Sequence, residues 1–330
     1  EDSILDRTVD NEFNTTTGIN LFSAQADYER SMGKITLSAG AKYSYIQTDN
    51  ELEFYDIQNG EPVLDINRSN EFSYLEKVAA AYVIVNAQPT TRITVNAGLR
   101  VENTASLGEL VSAVPNPDDV VPRNYTSLFP NVSLSYNDQE KHAISLSVGR
   151  RITRPNYQNL NPFEFKTSEL SSWQGNPFLE PNLIMNYQVT YSFMRKLVIS
   201  NTYSVTNNFF ANVFETVGDK GNRLITRNMD KAVTNGLSVS YPQKVFKWWS
   251  FSSFLIYNYS TYSGDIEGTL IDLNAHIVNF RLQNNIKLPL DVTMELSYFG
   301  STPWIWRGTV NVDGYHRVSI GVKRAFFNER

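Results

Sequence analysis

Residues 149–181 read GRRITRPNYQNLNPFEFKTSELSSWQGNPFLEP and follow an alternation of apolar and polar residues at 142–148. The stretch holds four of the thirteen prolines. Proline lacks the N–H that a sheet ladder needs, and it restricts the residue before it. Two Asn-Pro pairs and Gly175 add strong turn signals. Because a second alternating segment begins near Asn186, the stretch is predicted to be a long, structured, aromatic-bearing loop between two strands.

Alternation with a period of two residues recurs along the whole chain. At 35–45, Ile, Leu, Ala and Tyr alternate with Thr, Ser, Gly and Lys, and 93–102 repeats the pattern. No segment shows a convincing helical period. Roughly thirteen strands are predicted from this periodicity, at about 18–28, 34–47, 72–86, 92–105, 127–137, 142–153, 183–194, 197–210, 223–241, 248–263, 269–288, 291–300 and 315–326.

The connections between these strands alternate between short and long. Short ones lie near 29–33, 87–91, 137–141, 195–196, 243–247 and 288–291. Longer ones lie near 48–70, 106–126, 153–182 and 300–314, with modest ones near 218 and 265. A meander alternates in this way when its tight turns face the periplasm and its loops face the exterior. A Greek-key sandwich is not expected to do so.

Composition excludes several classes of protein. The longest apolar run, 78–85, is far shorter than the ~20 residues of a membrane helix. Cysteine is absent, which excludes disulfides and thiolate metal sites. A net charge of -5 without a basic tract disfavours a nucleic-acid partner. The 13% of aromatic residues suits the interfacial girdles of a membrane barrel, and equally a large soluble β-sandwich.

Alternation alone leaves those two all-β folds open, since the apolar face points inward in a sandwich and toward lipid in a barrel. Several predicted strands exceed ~10 residues, whereas soluble strands typically have about 5–6. We therefore predict an all-β fold, an antiparallel up-and-down meander of about thirteen strands that is part of a larger transmembrane β-barrel. Single-chain bacterial barrels have even strand numbers, and 326–330 is expected to begin another turn.

The loop stretch also carries a family resemblance. Its motif residues resemble the outer-membrane β-barrel family of Bacteroidetes, which is similar to the C-terminal part of TonB-dependent receptors. The matching residues are Arg150, Arg151, Ile152, Arg154, Pro155, Tyr157, Leu160, Asn161, Pro162, Phe163, Gly175, Asn176, Pro177, Leu179 and Pro181. The segments AGAKYSY at 39–45 and GLRVENT at 98–104 extend the resemblance over nearly the whole chain. The motif marks a barrel rather than a ligand, so its structural members are taken to be Arg151, Pro155, Asn161, Pro162, Phe163, Gly175, Asn176 and Pro177.

The resemblance implies that residues 1–330 form a partial outer-membrane β-barrel, without the plug domain and the last strands. It implies energised uptake of a nutrient such as a glycan, a peptide or a metal chelate. The implied partners are outer-membrane lipid, an energy-coupling periplasmic protein that acts through the plug, and a surface lipoprotein over the loops. No cofactor is expected. The alternative is a barrel for surface assembly, adhesion or secretion that imports nothing.

Candidate ligand-binding residues lie in the loops and at strand ends. Arg150, Arg151 and Arg154 form the densest basic group, and arginine suits bidentate contacts with carboxylates. They could bind an anionic ligand or plug carboxylates; the favoured interpretation places Arg150 and Arg154 on one strand face, paired with acidic residues of neighbouring strands. The loop tryptophans could stack on a sugar or another ring, or pack loop against loop. The candidate set is Arg150, Arg154, Tyr157, Trp173, Trp304 and Trp306.

The histidines form no catalytic pattern. His142, His276 and His316 are far apart in sequence, and none has metal-ligand spacing. A hydrolase needs a histidine, a carboxylate and a nucleophile that converge in the fold. We therefore predict neither an enzyme nor a metal site, and an outer-membrane hydrolase stays as a less favoured alternative.

Overall fold

The computed structural model describes residues 10–113, 119–138, 140–168, 170–218, 221–266 and 268–324. Within these residues, thirteen long strands pair antiparallel and in sequence order in one sheet. In chain order the strands are β1 Asn11–Met32, β2 Ile35–Gln58, β3 Glu61–Leu64, β4 Asn70–Thr90, β5 Ile93–Ser112, β6 Val120–Asn137, β7 His142–Thr153, β8 Glu164–Ser168, β9 Ser171–Gln174, β10 Asn182–Phe193, β11 Leu197–Val217, β12 Gly221–Lys244, β13 Trp249–Ile266, β14 Thr269–Leu288, β15 Val292–Ser301, β16 Trp304–Trp306, β17 Val310–Val312 and β18 Tyr315–Arg324. The helix α1 spans Tyr157–Leu160.

The predicted up-and-down meander is confirmed, because each long strand pairs with the long strands before and after it in sequence. All thirteen predicted strands overlap an observed one. The end of the last predicted strand and the turn expected at 326–330 lie outside the described residues.

Several strands are longer than the sequence pattern predicts. The connection predicted at 48–70 is mostly a hairpin, since β2 continues to Gln58 and pairs with β3. The connection predicted at 106–126 is likewise mostly the ends of β5 and β6. The periodic pattern fades there because both faces become polar, as at 49–51, whereas the backbone ladder continues through pairs such as Asn50 with Phe72. Side-chain alternation reports the environment of each face, and the ladder does not depend on it.

The sheet has an apolar outer face and a polar inner face. Across four neighbouring strands the outer face carries the aligned residues Val132, Val148, Tyr187 and Tyr203. Their relative exposure is 51%, 39%, 44% and 42%. The adjacent inner positions carry Ser133, Ser147, Gln188 and Thr202. An apolar surface as extended as this one suits lipid rather than water as its surroundings.

The two ends of the sheet differ in their connections. At one end the strands are joined by tight turns, two of which have consecutive residues with positive φ, as type I′ hairpins require. These are Met194 and Arg195 (φ 52° and 55°) and Leu290 and Asp291 (φ 65° and 56°). The opposite end carries the extended hairpins and the segments 154–181 and 302–314. The predicted alternation therefore holds in part: the connections at 154–181 and 302–314 are long, whereas β11–β12 and β13–β14 are joined at this end by connections as short as the tight turns.

The sheet is open at three places within the described residues. β1 and β18 are its two edges, and no described pairing joins them. The β6–β7 ladder stops at the pair Asn131–Gly149, although β6 extends eleven residues further in the direction of Val120 and β7 continues to Thr153. No described residue belongs to a helix long and apolar enough to cross a membrane.

Most fully buried apolar side chains lie at the long-hairpin end and not along the sheet. One cluster contains Phe72, Leu160, Leu179 and Phe210. The other contains Ala211, Met229, Ala232, Tyr262 and Ile266, with Ile305 packed against it. Phe210 belongs to the first cluster and Ala211 to the second. Because consecutive strand residues point to opposite sides, the two clusters lie on opposite sides of the β11–β12 hairpin. Segments 154–181 and 302–314 thus cover the two sides of one hairpin.

Candidate functional site

Segment 154–181, which joins β7 to β10, folds into a compact plate rather than a free loop. Asn156 caps α1 by accepting a 2.8 Å hydrogen bond from the Asn159 backbone N–H. β8 and β9 then form a small hairpin. β9 pairs in parallel with the start of β12, from Ser171–Asn222 to Gln174–Ile225. The plate therefore belongs to the sheet through its backbone as well as through its side chains.

Arg154 ties the beginning of the plate to the inner face of β5. Its Nη2 donates to Glu102 Oε2 at 2.6 Å and to Thr104 Oγ1 at 2.9 Å. Its Nε lies 3.9 Å from a carboxylate oxygen of Glu76 on β4. Burial alone would lower the pKa of Arg154, but the hydrogen bond to Glu102 and the neighbouring Tyr125, Glu76 and Glu102 outweigh it and hold that pKa above its usual value. The guanidinium stays charged and fixed in place.

The far end of the plate is held by packing and by a second arginine. Leu179 is fully buried and Leu160 is 3% exposed, and both pack against Phe72 of β4 and Phe210 of β11. Arg123 of β6 donates to the backbone carbonyls of Leu179 and Pro177. These contacts join strands on both sides of the plate, so its position relative to the wall is defined at each end.

The family-motif residues make the turns of the plate. The Asn161 side chain accepts from the Phe163 N–H at 3.1 Å, and Gln174 Nε2 donates to the Pro162 carbonyl at 2.6 Å. Asn176 donates from its side chain to the Thr226 carbonyl at 3.1 Å. A Cβ at Gly175 would collide with the Asn161 carbonyl and lie 2.7 Å from that of Gln158. Of the other motif residues, Arg151 lies on β7 opposite Ile184 of β10, Pro155 lies between β7 and α1, and Pro177 lies in a turn of the plate.

A cavity of about 390 Å³ lies between the plate and the paired strands β1 and β2. Its aromatic and aliphatic walls are Tyr157, Phe163, Phe165, Trp173 and Leu52. Its polar groups are the hydroxyls and amides of Thr15, Thr17, Asn50, Gln158 and Asn161. No Asp, Glu, Lys or Arg is among the described residues that line it. An apolar pocket with a few polar groups is the usual form of a small-ligand site, and this one suits an uncharged ligand with ring faces.

The structure brings two of the six candidate ligand residues together. Tyr157 and Trp173 line the same cavity although they are separate in sequence. Trp304 and Trp306 lie on the β16–β17 hairpin, where Trp304 meets Tyr315 edge to face at 6.1 Å and Trp306 is 40% exposed. Neither of the last two lines the Tyr157–Trp173 cavity.

The interpretation that Arg150 and Arg154 share one strand face is wrong. Arg150 aligns with Met185 in the β7–β10 ladder, two residues beyond Val148, and so lies on the outer face. Arg154 follows the end of β7 and reaches the inner-face residue Glu102. Pro155 explains the difference, because it restricts the backbone of the residue before it and ends the alternation. Pairing with acidic residues of neighbouring strands therefore holds for Arg154, and no such ion pair is described for Arg150.

Sequence reasoning missed a second ion cluster at the tip of the β11–β12 hairpin, beyond the apolar band. Glu215 pairs with Arg223 at 2.6 Å and with Arg227 at 2.5 Å. Partial burial alone would raise the pKa of Glu215, but hydrogen bonds from Arg223 and Arg227 outweigh it and lower that pKa below its usual value. The only sequence signal was the hairpin spacing: the register places Arg223 directly opposite Glu215, whereas Arg227 lies opposite Ala211, four residues along the hairpin.

The three histidines lie on separate strands, each beside a tyrosine. His142 is bonded to the Tyr191 hydroxyl at 2.8 Å, and His276 to the Tyr257 hydroxyl at 2.7 Å. The ring of His316 meets that of Tyr298 at 6.4 Å. Across the described part of the chain, no group of three or more His, Asp or Glu side chains could hold a metal ion.

A long antiparallel meander with an apolar outer face, a polar inner face and one end built of extended hairpins defines the wall of an outer-membrane β-barrel. The chain belongs to the outer membrane protein β-barrel family, whose model matches residues 2–330. It is accordingly a protein of the outer membrane.

Solved structures with the same fold include uptake proteins. The chain is similar to the copper transporter OprC, with a TM-score of 0.70 at 13% identity over 93% of this chain and 48% of OprC. It is similar to unliganded ferric citrate transporter FecA (TM-score 0.63, 13% identity, 94% of this chain and 47% of FecA). It is also similar to the ferric yersiniabactin uptake receptor FyuA from Yersinia pestis (TM-score 0.62, 12% identity, 94% and 47%).

The chain spans about half the length of each of these structures, and identities this low show the fold alone. The resemblance to TonB-dependent receptor barrels is therefore supported at the level of the fold. No curated protein sequence matches the chain.

Proposed function

We propose that this chain forms part of the wall and the ligand-capturing end of an outer-membrane importer of the TonB-dependent type. The thirteen strands would join further strands into a larger barrel, because β1 and β18 each present an unpaired edge within the described residues. A plug domain inside the barrel and an energy-coupling periplasmic protein would complete the machinery. A surface lipoprotein over the long hairpins is a further expected partner.

The observation that carries this proposal is the Tyr157–Trp173 cavity. It lies at the long-hairpin end, which faces the exterior when the tight turns face the periplasm. The plate that supplies its aromatic wall is fixed at both ends, by Arg154 and by Arg123. A preformed wall binds ligand without the cost of ordering a loop.

The lining of the cavity indicates the class of ligand. Aromatic faces beside hydroxyl and amide groups suit sugar rings or other uncharged rings. A strongly anionic metal chelate would find no arginine or lysine among the described lining residues. Among nutrient classes, we therefore favour a neutral oligosaccharide over a charged chelate.

Uptake in whole cells tests this function. Cells that express the full-length protein would be given radiolabelled neutral oligosaccharides, with maltoheptaose and cellohexaose as probes and ferric citrate as the charged comparison. We expect accumulation of at least one oligosaccharide that requires the protein and stops when a protonophore collapses the proton gradient.

Accumulation that is unaffected by the protonophore would contradict energised import. Surface binding without accumulation would instead favour the alternative of a barrel for adhesion, assembly or secretion. Preferential uptake of ferric citrate would overturn the choice of an uncharged ligand.

A further inference from the structure

The split in the sheet between β6 and β7 borders a cavity. The ladder between these strands ends at Asn131–Gly149, where the next residue of β6 is Pro130, which cannot donate to a ladder. Beyond the split lies a cavity of about 610 Å³. Six consecutive residues of β6, from Arg123 to Leu128, line it. Because alternate residues of a strand point to opposite faces, consecutive residues line one cavity only where the strand edge itself is exposed.

Arg150 lies at the outer edge of this cavity, which we call the β6–β7 cleft. It is half-buried on the outer face of β7, after the outward apolar residues Ile144, Leu146 and Val148. The one hydrogen bond described for its side chain runs from Nη1 to the Leu128 carbonyl across the split, at 3.4 Å. Within the described residues it has no ion pair with a carboxylate. Its charge is therefore available to a ligand.

The height of Arg150 along the barrel matches that of lipid headgroups. Eight residues separate it from His142 at the tight-turn end, which is roughly 21 Å along the membrane normal for a strand tilted by ~40°. The outward apolar band of a bacterial barrel is about 25 Å tall. Long basic side chains near such a boundary reach toward the headgroups.

The other cleft residues suit an amphiphile. Leu128 and Leu183 supply apolar surface next to the band, and Asn124, Thr126 and Asn208 supply hydrogen-bonding groups above it. Glu180 is the one carboxylate of the lining, and it accepts a 2.8 Å hydrogen bond from Asn208. The two guanidinium groups of Arg123 and Arg150 against this carboxylate leave the cleft with a net positive charge.

We infer that this cleft binds the phosphate headgroup of an anionic lipid of the outer leaflet, with Arg150 contacting the phosphate and an acyl chain lying against Leu128 and Leu183. Arginine pairs well with phosphate oxygens. The site is separate from the Tyr157–Trp173 cavity and does not depend on transport.

Native mass spectrometry of the full-length protein in neutral detergent tests the inference. Dimyristoylphosphatidylglycerol serves as the anionic probe, and dimyristoylphosphatidylcholine as the zwitterionic probe with the same chains. We expect preferential binding of the anionic lipid. Arg150→Gln should weaken this binding about tenfold, whereas Arg151→Gln, on the opposite face of the same strand, should change it no more than about twofold.

Three results would overturn the inference: equal binding of the two lipids, equal losses in the two variants, or displacement of the lipid by an excess of inorganic phosphate, which would indicate a site for a free anion. Heat-modifiable migration in gel electrophoresis verifies that each variant is folded. If Arg150→Gln does not fold, the comparison of the two lipids and the phosphate competition, both made on the wild-type protein, still test whether the cleft binds an anionic lipid.

Discussion

Arg154 Nη2 lies 2.6 Å from Glu102 Oε2, and this contact joins residues that are 52 positions apart in sequence. Glu102 is 8% exposed on the inner face of β5, and Arg154 begins the plate 154–181. Glu102 also pairs with Arg100 two residues earlier on β5. The Glu102 carboxylate therefore pairs both with Arg100 of the wall and with Arg154 of the plate.

Substitution Glu102→Ala should release the plate from the wall. Removing Glu102 takes away the nearest counter-charge of Arg154 and leaves only Glu76 at 3.9 Å, and we expect a loss of about 2 kcal/mol in the local stability of the plate. Limited proteolysis of the folded protein should show faster cleavage within 154–181. Glu109→Ala is the matched control, since Glu109 is an exposed carboxylate on the same strand. Equal cleavage in both variants would show that the pair does not hold the plate.

Leu179→Ala should weaken the packing of the plate. Leu179 is fully buried among Phe72, Leu160 and Phe210, so the shorter side chain leaves a cavity. We expect a loss of about 3 kcal/mol in the free energy of unfolding, measured by urea denaturation in detergent micelles. Leu170→Ala, at a position 53% exposed in the same segment, should cost much less. A cost for Leu170→Ala as large as that for Leu179→Ala would contradict the assignment of the cluster.

Gly175→Ala should disrupt the turn that positions Trp173. The added methyl group would collide with the backbone carbonyl of Asn161, and a backbone atom cannot move aside as a side chain does. We expect a shift of the tryptophan fluorescence spectrum and a lower thermal stability. At Gly18, a strand position where the nearest atom is a carbonyl oxygen at 3.9 Å, the same change should leave both properties unaltered. A Gly175→Ala protein that keeps the wild-type spectrum and stability would refute the close approach.

Acid should loosen the tip of the β11–β12 hairpin. The ion pairs with Arg223 and Arg227 lower the pKa of Glu215 below its usual value. A lowered pKa in the folded state means that the pairs contribute stability above the usual glutamate range near ~4.3, and that this stability is lost as the pH falls through the lowered value. A nitroxide label at exposed Thr216 should report greater mobility at pH values below the usual range of glutamate.

In the variant Glu215→Gln the label should be mobile at every pH, because no carboxylate remains to titrate. A transition that persists in this variant would assign the acid response to another group.

The strands and their order could be predicted because the alternation of apolar and polar residues is local information. At 49–51 the pattern ends while the hairpin continues, since polar residues occupy both faces there, including Asn50, which lines the Tyr157–Trp173 cavity. Arg150 lies two residues beyond Val148 and therefore shares its outward face. Pro155 ends this period of two residues, so the same reasoning fails for Arg154.

The contacts that define the plate could not be predicted in this way. Glu102, Arg123 and Phe210 meet it from strands distant in sequence, and no periodicity records which distant residues meet. The convergence of Tyr157 and Trp173 on one cavity depends on the same contacts. Their role in binding a ligand stays a prediction.

The most direct test of the proposed capture of an uncharged ring ligand is the dissociation constant of neutral oligosaccharides for the full-length protein and for two tryptophan variants. A panel of maltoheptaose, cellohexaose and laminarihexaose provides the probes, and titration calorimetry the measurement. We predict that at least one probe binds, that Trp173→Ala weakens it about tenfold through the loss of ~1.4 kcal/mol of ring contact, and that Trp306→Ala has no such effect. Binding that is lost equally in both variants, or that is absent for every probe, would contradict capture in the Tyr157–Trp173 cavity.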